Sequence, residues 1–205
     1  MVRFSQFIFF IIFRLPFKFF LRPSFAGLEN IEKLEDGGHL LVCNHSARID
    51  PFTLSVLPWK VLLKIFPYYF PVSEHEYQKF KYRIFIRPLG AYPLKISGGW
   101  TVDDYFGNSK KLLKNGKNIV LFPEGGFRSE YHRKAKPGFV FLPSELGIQL
   151  LPLHIEGLFN FTLKDFFLRR RRLKLTFGEP FGVPKTDISK YRDVANSIIE
   201  RIYSL

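Results

Sequence analysis

The sequence predicts a single α/β domain built on a central, partly parallel β-sheet that is flanked by helices. Two observations support this class. Short apolar runs bounded by glycine or proline end abruptly in polar motifs, and segments of helical periodicity alternate with these runs. Strands that alternate with helices are typical of sheets that are at least partly parallel. No internal repeat, low-complexity tract or glycine–serine linker divides the 205 residues, so we expect one domain.

The first element is an apolar segment with basic residues, which we place at residues 1–24. Its Phe- and Ile-rich run between Arg3 and Arg14 has only about ten residues, whereas a membrane-spanning helix needs roughly 20. Basic residues follow at once and no small-residue cleavage site closes the run, which argues against a signal peptide. We therefore expect an amphipathic, interfacial segment that lies in a membrane surface. A terminal helix packed on the domain's own core is the alternative.

Buried strands are predicted in the remaining domain, residues 25–205. They cover His39–Cys43, Asn118–Phe122 and Gln149–His154, whose length and apolar character suit strands buried on both faces. A polar motif follows each strand. Because ligands collect at the carboxyl ends of parallel strands, we expect these motifs to meet at one edge of the sheet.

Helices are predicted between and after these strands. Thr101–Leu113 has helical spacing with a stop signal at Asn115–Gly116, and Asp187–Tyr203 is an amphipathic helix that Asp187 can cap. Pro51–Val72 is apolar, but prolines interrupt it and lysines charge it, so we expect a broken, partly exposed helix. No stretch reaches roughly 18 uninterrupted apolar residues, so the protein is expected to sit on a membrane without crossing it.

Composition narrows the class of partner. The 31 Lys and Arg residues outnumber the 18 Asp and Glu residues, and the formal charge of +13 favours nucleic acid, anionic lipid or a phosphorylated substrate. Aromatic residues make up 18% of the chain, yet no RNA-binding signature of interleaved aromatic and basic residues occurs, so no nucleic-acid partner is expected. The single cysteine excludes an intramolecular disulfide framework and a cysteine-rich zinc module.

The first motif that could carry chemistry follows the first predicted strand. In Asn44-His45-Ser46-Ala47-Arg48-Ile49-Asp50, a carboxylate comes five residues after a histidine. Across a tight turn, Asp50 could hold one ring nitrogen of His45, which would then take a proton from a substrate hydroxyl. The spacing alone is weak support, since Asp50-Pro51 also suits a helix N-cap followed by proline in the first turn.

Two basic motifs follow further along the chain. Phe122-Pro123-Glu124-Gly125-Gly126-Phe127-Arg128-Ser129 combines glycines that let the backbone approach a ligand with an arginine that can grip a phosphate. Arg133-Lys134-Ala135-Lys136-Pro137-Gly138 is a basic, turn-prone run. Taken alone, each also suits an ordinary charged surface loop. The histidines lack the spacing of metal ligands, so no metal is expected.

In this order, the motifs resemble those of the glycerolipid acyltransferase family, which includes 1-acylglycerol-3-phosphate acyltransferase. The family's Asn-His-x4-Asp block is similar to Asn44, His45 and Asp50, and its Phe-Pro-Glu-Gly block is similar to Phe122–Gly125. The resemblance spans about residues 25 to 185. The remaining blocks have counterparts at Leu89–Lys95, Lys134–Gly138, Leu151–Gly157 and Phe177–Pro180.

The resemblance implies an O-acyltransferase that moves a fatty acyl group from acyl-CoA or acyl-carrier protein to the free hydroxyl of a lysophospholipid. The acceptor implied first is 1-acylglycerol-3-phosphate, which would become phosphatidate. His45 would be the catalytic base and Asp50 its orienting carboxylate, and no cofactor is implied beyond the acyl donor. The residues implied in substrate binding are Asn44, Arg87, Lys95, Glu124, Gly125, Arg128, Lys134 and Lys136.

The same resemblance, with the basic N-terminal segment, implies a peripheral or monotopic enzyme on the cytoplasmic face of an anionic membrane. Two alternatives stay open. Arg128 stands one residue later than in the family's block and Lys95 replaces an arginine, which favours another lysolipid or an aminolipid as the acceptor. A catalytically inactive, basic lipid-binding module is the alternative from another functional class. The run Arg169–Arg172 suits anionic headgroups or a solvated hairpin tip equally.

Overall fold

In the computed structural model, which describes residues 1–94, 101–126 and 134–205, eight strands form one sheet. The strand order is β1-β7-β6-β2-β5-β3-β4, with β8 paired to β6. Pairing is parallel from β6 through β2, β5 and β3 to β4, whereas β7 and β8 run antiparallel to β6. The predicted partly parallel sheet is therefore confirmed. The strands are β1 Ser24–Ala26, β2 Leu40–Cys43, β3 Tyr68–Ser73, β4 Ala91–Leu94, β5 Asn118–Leu121, β6 Gln149–Glu156, β7 Lys174–Phe177 and β8 Phe181–Gly182.

Helices cover both faces of this sheet. The helices of the described residues are α1 Val2–Leu21, α2 Glu29–Glu32, α3 Asp50–Thr53, α4 Trp59–Ile65, α5 Glu74–Gln78, α6 Phe80–Phe85, α7 Val102–Lys114, α8 Phe141–Leu146, α9 Leu163–Phe167 and α10 Tyr191–Tyr203. Side chains of α1, α2 and α4 join one hydrophobic cluster, and those of α7, α8 and α10 join the other. The sheet between them makes a three-layer α/β domain.

The central strands are apolar throughout because alternate side chains enter opposite clusters. In β2, Leu41 and Cys43 belong to the cluster of α1 and α4, whereas Leu40 and Val42 belong to the cluster of α7 and α10. Strands buried on both faces show this continuous apolar pattern. The three predicted strands correspond to β2, β5 and β6, with ends shifted by one or two residues.

The expectation for Pro51–Val72 is only partly correct. α3, a 3-10 turn at Leu54–Val56 and α4 do form a broken helix, but the segment ends in the parallel strand β3. Pro67 follows the last helical turn and cannot continue the helix. The aromatic residues after Pro67 belong to β3, which pairs with β5 on one side and β4 on the other. Composition alone does not distinguish a helix from a strand in this segment, and pairing within the sheet makes it a strand.

α7 and α10 confirm the two predicted helices, but their N-termini differ from each other. Thr101 caps α7 in a reciprocal arrangement with Asp104, in which each side chain accepts a hydrogen bond from the other residue's backbone N–H. The cap predicted at Asp187 is wrong. A 3-10 turn at Ile188–Lys190 separates Asp187 from α10, and the Asp187 side chain makes no capping hydrogen bond.

α1 packs on the domain with one face and exposes large apolar side chains on the other. Gln6 Nε2 donates hydrogen bonds to the carbonyl oxygens of Tyr68 and Leu89, at 2.5 and 2.8 Å. Arg14 Nη1 donates to the carbonyl oxygen of Ser55 at 2.7 Å. The buried face consists of Gln6, Phe10, Arg14, Phe17 and Leu21. The exposed apolar side chains include Phe4, Phe7, Ile8, Ile11, Ile12, Leu15 and Phe19.

The helix is longer than the apolar run suggested. It has 20 residues, so the argument that the segment is too short to span a membrane is wrong. Within the described residues, α1 is the one helix whose length and hydropathy pass that test.

Candidate active site

A cavity of about 670 Å³ opens where the parallel strands end. Residues that follow β2, β3 and β5 line it, because neighbouring parallel strands bring their carboxyl-terminal loops to the same edge of the sheet. His45 comes from the loop after β2, Gly125 from the loop after β5, and Lys136 from the basic loop that follows. The motifs that follow β2 and β5 therefore meet at one edge, as predicted, and the basic loop joins them. Glu156 and Gly157, which end and follow β6, do not line the cavity.

His45 and Asp50 form a hydrogen-bonded pair at this edge. His45 Nδ1 lies 2.9 Å from Asp50 Oδ2, and the same oxygen accepts the backbone N–H groups of Ser46 at 2.6 Å and Ala47 at 2.8 Å. The Asp50 side chain is fully buried, whereas the His45 side chain keeps 15% exposure. With Nδ1–H donated to the carboxylate, the lone pair of the neutral ring lies on Nε2. Asp50 thus fixes both the loop and the tautomer of the ring.

The loop after β5 supports the same histidine from a second side. The His45 ring stacks on Phe122, with centroids 4.4 Å apart and an interplanar angle of 29°. The backbone N–H of His45 donates to Glu124 Oε1 at 3.1 Å, and the Tyr203 hydroxyl donates to the same oxygen at 2.9 Å. Glu124 is buried and does not line the cavity. Its predicted contact with substrate is therefore corrected to a supporting contact with the His45 loop.

Asn44 ties β2 to β6 at the end of the sheet. Its Nδ2 donates to the carbonyl oxygen of Ile155 at 2.9 Å and to Ser46 Oγ at 3.2 Å, and its Oδ1 accepts the N–H of Ile155 at 2.6 Å. The side chain is buried. Its amide group is committed to these partners, so the expectation that Asn44 binds substrate is not supported. The residue instead fixes the point at which the His45 loop leaves the sheet.

Gly125 and Lys136 form a close pair beside the cavity. Gly125 has φ +70°, a left-handed conformation that favours glycine. A Cβ at this position would lie 2.6 Å from Lys136 Nζ, so the ammonium group packs directly over the glycine backbone. The backbone N–H of Lys136 also donates to the carbonyl oxygen of Pro123 at 2.8 Å. The second and third motifs are thereby joined, with a positive charge at the cavity wall.

Two of the other predicted phosphate ligands, Lys134 and Arg87, do not line this cavity. Lys134 is exposed and does not line the cavity. Arg87 lines a separate cavity of about 380 Å³, together with Tyr77 and Lys111. Arg87 precedes β4 and so lies near the amino end of that strand, away from the edge that carries His45. Lys95 and Arg128 lie outside the described residues.

Several cavity residues were not predicted. Arg48 lines the cavity and occupies the motif between His45 and Asp50, so its position in the block was the available signal. The sequence does not indicate the apolar wall of the cavity, because that wall is assembled only when β3 pairs with β4. Its main members are Phe52, Phe70, Val72, Ile86 and Leu94.

Cys43 lies next to the site but is unsuited to nucleophilic chemistry. Burial and the charge of Asp50 raise the pKa of the Cys43 thiol, which keeps it protonated and unreactive. In the described ranges, no three His, Cys, Asp or Glu side chains are grouped as metal ligands. The arrangement is thus that of an oriented histidine base next to a cationic, glycine-containing loop and an apolar wall.

A comparison with protein families identifies the chain. A family model described as Acyltransferase matches residues 22–156, which is more than half of the chain. The chain belongs to the acyltransferase family. The enzyme is therefore an acyltransferase, and the membership of an acyltransferase family that its ordered motifs implied is confirmed. The matched region includes His45, Asp50, Gly125 and Lys136.

A solved structure is similar to this acyltransferase in fold. It is the crystal structure of the 1-acyl-sn-glycerophosphate (LPA) acyltransferase PlsC from Thermotoga maritima, with a TM-score of 0.56 and 19% sequence identity. The similarity covers 89% of this chain and 73% of that chain. A search of curated proteins gives no match. The fold of the acyltransferase is thus shared with a glycerophosphate acyltransferase.

Proposed function

We propose that this acyltransferase moves a fatty acyl group from acyl-CoA or acyl-carrier protein to the free hydroxyl of 1-acylglycerol-3-phosphate, giving phosphatidate. The hydrogen-bonded His45–Asp50 pair at the cavity carries the proposal, because acyl transfer to a hydroxyl needs a base that is held in one orientation. The family supplies the reaction class. The name of the protein with a similar fold suggests the acceptor.

The proposed chemical step is direct transfer. His45 Nε2 removes the proton from the acceptor hydroxyl as its oxygen attacks the thioester carbonyl, and Asp50 balances the charge of the imidazolium. Collapse of the tetrahedral intermediate breaks the carbon–sulfur bond, and the leaving thiolate takes the proton back from His45. Proton transfer of this kind contributes about 10²- to 10⁴-fold in rate. The proposed step needs no acyl-enzyme, and burial, which raises the pKa of the Cys43 thiol, makes that residue unsuited to form one.

We propose that the cationic wall of the cavity holds the acceptor's phosphate. Lys136 supplies a charge beside the left-handed backbone of Gly125, where glycine allows a close approach. Arg128 and Lys95 keep their proposed roles as further phosphate ligands. The apolar wall that includes Phe52 and Phe70 suits an acyl chain, and the cavity volume falls within the usual range for ligand sites.

We also propose that the enzyme works on the cytoplasmic face of an anionic membrane, held there by α1. The exposed face of α1 carries large apolar side chains, including Phe4, Ile11 and Leu15. Its inward face is bound to the domain through Gln6 and Arg14. If α1 crossed the membrane alone, these buried polar side chains would lose their backbone partners and enter hydrocarbon, which is costly. A position in the interface keeps them paired.

An acceptor panel tests this proposal. Purified enzyme in mixed micelles is given labelled acyl-CoA or acyl-carrier protein with lysophosphatidate, lysophosphatidylethanolamine, lysophosphatidylcholine or an aminolipid, and the products are resolved by mass spectrometry. We expect phosphatidate to form fastest. Faster acylation of another acceptor would replace the proposed substrate while keeping the reaction. The absence of any acylated product with all acceptors would instead favour an inactive lipid-binding module.

A further inference from the structure

α9 and the basic residues that follow it form a second surface feature next to the carboxyl-terminal end of α1. We call residues 163–172 the α9 patch. The helix has only five residues, but it is held in place. Thr162 and Asp165 cap it reciprocally, and the backbone N–H of Arg170 donates to the carbonyl oxygen of Asp165 at 2.9 Å. The patch is therefore a defined local structure.

Aromatic and basic contacts fix this patch against α1. The ring of Phe166 lies 5.8 Å from that of Phe17 and 4.7 Å from that of Phe20, measured between centroids. Arg22 Nη2 donates to the carbonyl oxygen of Arg169 at 2.7 Å. The Arg169 guanidinium lies over the ring of Phe19, 4.4 Å from its centroid. The α9 patch and the end of α1 thus form one continuous surface.

Three apolar side chains of the patch are exposed, whereas Phe166 packs against α1. Leu163 is 74% exposed, Phe167 is 64% exposed and Leu168 is 53% exposed. None of the side chains of α9 is buried. Phe167 also contacts α1, with its ring 5.6 Å from that of Phe20, and the neighbouring Phe19 is 58% exposed. A continuous apolar surface of this kind marks a binding site for a membrane or another protein.

Charge around the apolar side chains identifies the partner. The one acidic residue of the patch, Asp165, is engaged in the helix cap and lies 3.9 Å from Arg171. Bulky apolar side chains surrounded by lysine and arginine match an anionic bilayer, which offers phosphates outside and acyl chains inside. The basic residues of the patch and of the adjoining end of α1 are Lys18, Arg22, Lys164, Arg169, Arg170, Arg171 and Arg172.

We propose that the α9 patch is a second membrane-binding element, which inserts Leu163, Phe167 and Leu168 below the headgroups while Arg170 and Arg172 bind anionic lipid phosphates. The inference rests on the proposed action at a membrane surface. A single interfacial helix leaves the domain able to rotate about the helix axis. A second contact removes that rotation, so the mouth of the His45 cavity keeps a constant orientation towards the bilayer.

Vesicle flotation with the full chain tests the inference. The double variant Phe167→Ser, Leu168→Ser is expected to lower the partition coefficient onto phosphatidylcholine–phosphatidylglycerol vesicles about tenfold or more. Each substitution removes the favourable free energy of transferring an apolar side chain from water into the bilayer. Arg170→Gln with Arg172→Gln is expected to weaken binding to these vesicles about tenfold, while binding to pure phosphatidylcholine changes little. Ile188→Ser with Lys190→Gln is the matched control, since Ile188 is 70% exposed but packs beside α10 on the opposite face of the sheet.

A fluorescent probe reports insertion directly. Cys43 is buried, so a thiol-reactive fluorophore is directed to an introduced cysteine. At Phe167→Cys we expect its emission to shift to shorter wavelength on addition of the anionic vesicles, and at Ile188→Cys we expect no shift. Equal emission at both positions, or α9-patch variants that float like wild type, would overturn the inference. So would lipid-free self-association of the wild type that the Phe167→Ser, Leu168→Ser variant loses, because the patch would then be a protein interface.

The two proposals fail in different ways. Lipid binding is measured without substrate, so a wild-type enzyme that binds vesicles but forms no acylated lipid contradicts the proposed function and leaves the α9 patch standing. An enzyme that forms phosphatidate, but whose α9-patch variants bind vesicles as tightly as wild type, contradicts the inference alone.

Discussion

The His45 ring is positioned by residues from two separate loops. Asp50 contacts Nδ1 of His45, and Phe122 covers one face of the ring. Glu124 accepts a hydrogen bond from the backbone N–H of His45. Two of these supports lie at the end of β5, far along the chain from His45. The orientation of the base is therefore a product of the parallel pairing of β2 and β5, and does not depend on the His-x4-Asp turn alone.

Asp50→Asn is expected to reduce kcat about a hundredfold or more with little change in KM. The amide keeps the shape of the side chain but cannot balance the imidazolium, and it can turn an N–H group towards His45. The measurement is steady-state acyl transfer in mixed micelles, with circular dichroism to verify folding. Asp103→Asn is the control, because Asp103 is an exposed carboxylate on α7 that pairs with Lys110. A folded Asp50→Asn enzyme within twofold of wild type would contradict the role of the carboxylate.

Gly125→Ala is expected to raise KM for the phosphorylated acceptor about tenfold. The added Cβ would collide with Lys136 Nζ and displace the ammonium group from the cavity wall. Gly116→Ala separates this effect from backbone strain, since Gly116 has a similar φ of +68° but nothing within 4 Å of its Cβ position. Both variants should lose about 1 kcal/mol of stability from the left-handed conformation. An equal KM for both would show that Lys136 is not a phosphate ligand.

For single residues, the sequence could predict which positions belong to the active site, but it could not predict which atoms each side chain contacts. The ordered motifs identified His45 and Asp50, and the structure pairs them. The same motifs could not tell that Asn44 and Glu124 face inward, because burial is decided by which partner strand lies beside them. Arg87 was misplaced for a similar reason, since sequence spacing does not reveal at which end of β4 a residue lies.

For helices and strands, the elements that the sequence predicts well are those with a long hydrophobic pattern and clear polar ends. β2, β5 and β6 are buried on both faces and read as continuous apolar runs with clear ends. β3 lies in a segment that is apolar throughout, so periodicity could not separate it from the preceding helix. β1 and β8 have only three and two residues, and so they depend on sheet pairing and give no local signal.

α1 is held to the domain in part through Arg14. Arg14→Ala is expected to lower the free energy of unfolding by about 2 kcal/mol, because the Ser55 carbonyl loses a charged donor and the Trp59 ring loses its stacked guanidinium. Lys18→Ala, an exposed position one turn further along, should change it by less than about 0.5 kcal/mol. Urea denaturation in a fixed detergent measures both. Equal stability of the two variants would mean that α1 is not held to the domain through Arg14.

At the scale of the whole molecule, the sheet separates the chemistry from the outer helices. The His45 cavity lies at the carboxyl ends of the parallel strands, while α1 and α9 lie together on one face. Of the 31 Lys and Arg residues, Arg48 and Lys136 line the cavity, and a second group lies in and beside the α9 patch. Composition alone could not divide the charge in this way, because the division depends on where each loop leaves the sheet.

Phosphatidate formation by His45→Ala shows whether His45 is the base for acyl transfer. His39→Ala is the matched control, because His39 immediately precedes β2 at the opposite end of the same strand from His45. With both variants folded, we expect His45→Ala to lose at least about 10²-fold in kcat, while His39→Ala stays close to wild type. A folded His45→Ala enzyme that forms phosphatidate at a rate comparable to wild type would contradict this role.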